Sequence, residues 1–204
     1  MALTYPLSLP AGQAVRRIAI QSRSTVGFSE SPFTYEQQIF AHPGESWTAQ
    51  VELKPMLRAD AEAWVAFLLA LNGRQGTFLM GDPVNVLPRG TWAGAPKVLG
   101  SHAAGVKSIA MDGFGVGATV KAGDWFQSGS GASSHLHKVV QDATADGSGL
   151  LTLEIWPRTR AALADNDTFV TTAPLGLWRL SQNGGWSFEL AQVYGLGFEC
   201  IEAL

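Results

Sequence analysis

Residues 46–73, "SWTAQVELKPMLRADAEAWVAFLLALNG", change hydrophobic period halfway along. Up to Lys54, the apolar residues Trp47, Ala49, Val51 and Leu53 alternate with Ser46, Thr48, Gln50, Glu52 and Lys54. Successive strand side chains point to opposite sheet faces, so this segment is a strand with one dry and one wet face. Pro55 stops the run. Beyond it, Trp64, Phe67, Leu68 and Leu71 recur at three- and four-residue spacing, which predicts a helix over about 58–71. Asp60 and Glu62 near its start suit the helix dipole, and Asn72–Gly73 makes a good stop. One helix covers one sheet face, so it is expected to lie on the Trp47/Val51/Leu53 side. The candidate core is therefore Trp47, Val51, Leu53, Trp64, Phe67, Leu68 and Leu71.

Upstream, residues 33–41 form a second strand candidate, with "HPGE" (42–45) placing Pro and Gly at turn positions between the two. The expectation is a hairpin of 33–41 with 46–54. "RRIAIQS" from Arg16 is a short strand, "GFSESP" is turn-rich, and residues 2–13 form an extended arm interrupted by Pro6 and Pro10. Downstream, "GTFLMGDP" (76–83) is a further strand. From about Gly90, short β-prone runs ("VKSIAM", "ATVKAGDWF", "LHKVVQD", "LLTLEIW", "TFVTT") alternate with Gly- and Asp-rich turns. Such spacing indicates a small barrel or sandwich. The closing "GWSFELAQVYGLGFECIEAL" is strand-like to the last residue.

Composition agrees with β structure. Only 15% of the 204 residues are charged and 23 are Gly, whereas helical proteins need charged surfaces and few glycines. At 46% hydrophobic, the chain can bury one large core or two small ones. A net charge of −3 leaves no electrostatic footprint for gripping nucleic acid. The single cysteine, Cys200, excludes a disulfide framework and cysteine-rich metal sites, and is expected to be a buried thiol. No apolar stretch approaches the roughly 18 residues of a membrane span, and the N-terminus lacks a signal-peptide pattern, so cytoplasmic synthesis without membrane insertion is expected.

"SGSGASSHLHKVV" (128–140) is the stretch that looks most like chemistry. It lacks the G-x-S-x-G of an α/β-hydrolase elbow. His135 and His137, at i and i+2 on a strand, share a face and could reach one metal, but a third ligand is not visible nearby. The bland alternative is a partly exposed strand face at a loop edge. "GFGVGATVKAG" (113–123) lacks both G-x-G-x-x-G and a following helix, so it is a turn. The acidic clusters at 141–149 and 164–168 do not match a calcium loop. No catalytic residue, cofactor site or metal site emerges.

Three stretches in order carry a resemblance: residues 31–83, with the Trp-bearing strand, "AWVAFLLALNG" and "GDP"; residues 120–160, from "VKAGDWFQ" to "LTLEIWPRTR"; and the closing "GLGFECIEAL". Together they resemble the distal tail proteins and minor tail proteins of long-tailed bacteriophages and gene transfer agents. The resemblance implies a mainly β fold with one α-helix: a tail-tube-like split barrel or sandwich, built on hairpin plus helix, with an inserted small β-barrel domain. Residues 1–89 and 181–204 would form the ring-forming domain and 90–180 the inserted peripheral one. It further implies a homo-oligomer, a hexameric ring in the virion tail tip. Its partners would be the tail tube, tape measure and tip hub proteins, with DNA in transient passage. Thr48, Gln50 and Glu52 would face the lumen, where neutral and acidic residues avoid holding phosphates. The alternative is a carbohydrate-binding β-module offering Trp92, Trp125 or Trp156 to sugars.

Overall fold

The computed structural model describes residues 3–11, 14–188 and 193–204. The first elements are β1 (Leu7–Ser8), β2 (Val15–Glu30), β3 (Gln37–Leu53), β4 (Met56–Leu57), α1 (Arg58–Ala70) and β5 (Phe78–Met80). Next come β6 (Gly94–Val98), β7 (Ser108–Phe114), β8 (Thr119–Val120), β9 (Trp125–Ser128), β10 (His135–Val139), β11 (Ala143–Thr144) and β12 (Leu151–Trp156). The chain closes with β13 (Gly176–Leu180), β14 (Gly185–Phe188) and β15 (Val193–Glu202). The fold is mainly β with one α-helix, apart from a single 3₁₀ turn at Gly131–Ser133 among the described residues.

Two sheets carry two cores. The first runs β1-β5-β13-β15-β3-β2, with β14 and β4 paired to β15; the second runs β6-β7-β12-β10-β9, and β8 pairs with β11. The chain leaves the first sheet after β5 and rejoins it at β13. α1 packs its buried face, Trp64, Val65, Phe67 and Leu68, over β5 and β15. Trp64 and Phe67 meet Phe198 and Phe78, which themselves meet edge-to-face at 5.9 Å. Asn72 (φ 48°) and Gly73 (φ 65°) stop the helix in the left-handed region, and a Cβ at Gly73 would stand 2.5 Å from Asn183 Oδ1. The Tyr5 hydroxyl donates to the Ala70 carbonyl at 2.6 Å, satisfying one of the helix's unpaired C-terminal acceptors. All seven candidate core residues are buried in this first core.

The hairpin differs from expectation. "HPGE" is not a turn: it lies inside β3, and the partner strand is β2, which runs through the first four residues of "GFSESP" and ends at Glu30. The chain reverses at Ser31–Glu36, where the Tyr35 N–H donates to the Ser31 carbonyl. Two physical reasons explain the difference. β15 pairs with β3 only from Thr48 to Glu52, so Pro43 lies where β3 has a free side and its missing N–H disturbs little. The ladder also shifts register between Ser24 and Val26, absorbing extra residues of β3. Gly44 permits this close approach, since a Cβ there would stand 2.7 Å from Thr25 Oγ1. "TFVTT" is a second difference: it forms only an isolated bridge, Val170 to Gln127.

Trp47 packs on the second sheet. It meets Trp156 at 4.2 Å and Trp125 at 5.0 Å, and its indole N–H donates to the Leu136 carbonyl at 2.9 Å. The β9–β10 ribbon is the reason, because it is apolar on both sides. Trp125 and Leu136 belong to the first core, whereas Phe126 and Val139 belong to the second.

Candidate functional site

His135 and His137 project to one side of β10 but differ in setting. His135 is half-buried; His137 is fully buried and stacked on Phe126 at 5.2 Å. The expectation of a partly exposed face therefore fails for His137, because the second core closes over that side of the ribbon. Its Nδ1 lies 2.9 Å from the Pro157 carbonyl and its Nε2 lies 3.0 Å from Ser128 Oγ. A carbonyl can only accept, so Nδ1 carries the proton and Nε2 accepts from the Ser128 hydroxyl. That is the polarity of a nucleophile–base pair, with a carbonyl where a triad has a carboxylate. Ser128 is 7% exposed and His137 0%, so the pair is buried. Among the described residues, no three His, Cys, Asp or Glu side chains come together as a metal set.

Burial drives His137 down to about 4; the Pro157 carbonyl opposes this, while charge on His135 and Arg160 adds to it. Burial lowers His135 in the same direction. The unfolded chain takes up these protons near the ordinary 6.5, so stability is complete above pH 6.5. It falls by about 3 kcal/mol for His137 alone as pH drops to 4. His137→Gln is expected to flatten the dependence of melting temperature on pH between 6.5 and 4. A slope equal to wild type would refute the assignment.

An ionic junction locks the two sheets together. Glu45 and Glu202, both buried, meet Lys107, Arg158 and Arg160 from the second unit. Arg160 donates to both Glu202 carboxylate oxygens, at 2.7 and 3.2 Å, and to the Glu45 carbonyl at 2.6 Å. The Trp47 backbone N–H donates to Glu202 at 3.1 Å. Burial alone would raise Glu45; hydrogen bonds and charge from Lys107 and Arg158 outweigh it and hold the carboxyl below its ordinary range. Cys200 is buried beside Ala49, and burial pushes its thiol up to about 12, which keeps it unreactive.

The remaining surfaces are the two faces of β2–β3. Thr48, Gln50 and Glu52 lie opposite Gln21, Ala19 and Arg17, so all share the outer face of the sheet. Arg23 and, through β15 and β13, Glu199 and Arg179 extend that face. It thus carries three arginines against two glutamates, whereas β3 by itself contributes only neutral and acidic groups. Arg17 reaches Glu52 at 3.5 Å and Gln50 donates to Glu199 at 2.9 Å, so the charges partly pair.

The opposite face is apolar. Ile18 and Ile20 pair with Val51 and Ala49 over the first core, and Val26 and Phe28 continue the alternation beyond it. There the described residues supply nothing to cover them: Val26, Phe28 and Ile39 are 53%, 61% and 64% exposed, and Phe33 at the tip is 92% exposed. Of the three tryptophans that could stack on sugars, Trp92 and Trp125 are buried and Trp156 packs on Trp47.

No protein-family model matches the chain, and no curated protein matches it significantly.

Proposed function

We propose that this protein is a structural subunit of a phage tail or related transfer particle. It forms a ring at the distal end of the tail tube, joins the tube to the tip hub, and lets DNA pass. In this reading the first sheet, from β1 to β5 and from β13 to β15, is the tube-like split barrel, and the second sheet is its peripheral β-unit; β13 (Gly176–Leu180) thus falls with the barrel and not with the 90–180 insertion. The observation that supports it is the β2–β3 hairpin, whose polar and apolar faces both outrun the chain's own core. A hairpin of that length is marginal alone in water and needs a neighbour. Repeated head-to-tail contact between identical copies supplies one and closes a ring. Thr48, Gln50 and Glu52 then line the lumen, with Arg17 and Arg23 beside them. Mixed, partly paired charge repels or holds DNA less than a single-sign wall.

Mass photometry and negative-stain imaging of the purified protein test the ring. Closed six-copy particles with a central hole are expected; a monomer at every concentration would overturn the reading. A Thr48→Lys/Gln50→Lys variant tests the lumen. Its rings should form normally but bind duplex DNA more tightly, with a steeper salt dependence than wild type. Unchanged binding would remove these residues from the lumen.

A further inference from the structure

Beside α1 and the inner face of β2 the chain leaves a groove of about 980 Å³. Its walls are Ile18, Ile20, Trp64 and Trp125. Arg16, Arg17, Lys54 and Lys138 also line it; Asp82, the acidic residue there, is engaged by the N–H groups of Val84 and Asn85. The groove therefore combines apolar walls with an excess of basic side chains. The arm formed by residues 24–44 has the opposite character. It exposes Phe28, Phe33, Tyr35 and Ile39, carries Glu30 and Glu36, and contains no Lys or Arg. Contiguous exposed aromatics of this kind mark an interaction surface.

We propose that the hairpin tip of one copy seats in this groove of a second copy. Phe28, Phe33 and Tyr35 enter among the Ile and Trp walls, and Glu30 and Glu36 meet Arg16, Lys54 and Lys138. The arm is not satisfied within its own chain: its tip residues are bare while the groove of the same molecule stands open. Charge complementarity favours a second copy over a different protein, because both halves of the contact are written in one sequence. The tip and the groove are different patches, so the contact is head-to-tail and propagates. It deepens the ring reading and rests on it, though a ring could also close through other surfaces.

A charge-reversal pair tests the contact by sedimentation velocity on the full chain. Glu30→Lys/Glu36→Lys on the tip, and Lys54→Glu/Lys138→Glu at the groove, should each weaken self-association by about tenfold or more, since like charges then face each other. Combining all four should restore association to within about threefold of wild type. Because Lys138 lies over the Trp125 ring at 4.3 Å, Lys54→Glu alone serves as the groove variant if the pair lowers the melting temperature. Wild-type rings with single-side variants that assemble normally, or a combination that fails to recover, would overturn the arm-in-groove contact and leave the ring standing. A wild-type protein that never self-associates would sink both.

Discussion

Trp47→Ala is expected to destabilise the protein by about 4 kcal/mol, within the range for truncating a buried aromatic. Trp47 is 7% exposed and joins the first core to the second sheet: it touches Trp125 and Trp156, and its indole N–H satisfies the Leu136 carbonyl. Alanine leaves a cavity at that seam and an acceptor without its donor. Trp47→Phe keeps much of the ring contact but not the hydrogen bond, and should recover about half of the loss. The melting transition reports this directly. The seam location adds a second signature. Glu202 accepts from the Trp47 backbone and from Arg160, so Glu202→Gln and Trp47→Ala act on one contact region. Their effects should be non-additive by about 1 kcal/mol. Additive losses would show that the seam does not behave as a unit.

Asp124→Ala is expected to cost about 4 kcal/mol or more, because four donors lose their acceptor at once. The carboxylate is 2% exposed. Its Oδ1 accepts from the Arg89 N–H at 2.6 Å. Its Oδ2 accepts from the N–H groups of Gly90, Lys121 and the Trp92 indole, at 2.9 to 3.0 Å. Asp124 thereby ties the segment entering the second unit to the β8–β9 turn. Asp124→Asn should be nearly as damaging as alanine, unlike most isosteric changes. Whichever way the amide turns, its NH₂ group faces N–H donors and has nothing to donate to. Chemical denaturation of the two variants decides this: an asparagine variant within about 1 kcal/mol of wild type would mean that water or a shifted backbone replaces the network.

Several features of the fold are legible in the residue pattern itself. The Ser46–Lys54 alternation and the 58–71 periodicity are local, and burial follows them residue by residue because each reflects the geometry of its own backbone. The hairpin is not legible in full. "HPGE" and the first four residues of "GFSESP" carry residue types that make turns, yet lie in strands because a distant partner pairs with them; Ser31 and Pro32 do form part of the reversal. Gly, Ser and Pro weaken a strand without forbidding one, particularly where one side of it is free. His137 is legible as a residue type and a face. Its burial is not, because that depends on Phe126 opposite it and Pro157 twenty residues away.

Sequence alone determined the β-rich class, the one helix, the dry and wet faces of residues 46–54, and the lack of any recognisable catalytic motif. All of these follow from local periodicity and composition. Only the tertiary structure decided which strand partners β3, that Trp47 packs on the second unit, and that Ser128 and His137 are hydrogen-bonded and buried. It also decided that the apolar face of the hairpin continues past its own core. Each of these depends on pairings and packing between residues far apart in the chain, where no short-range pattern in the sequence can select the partner.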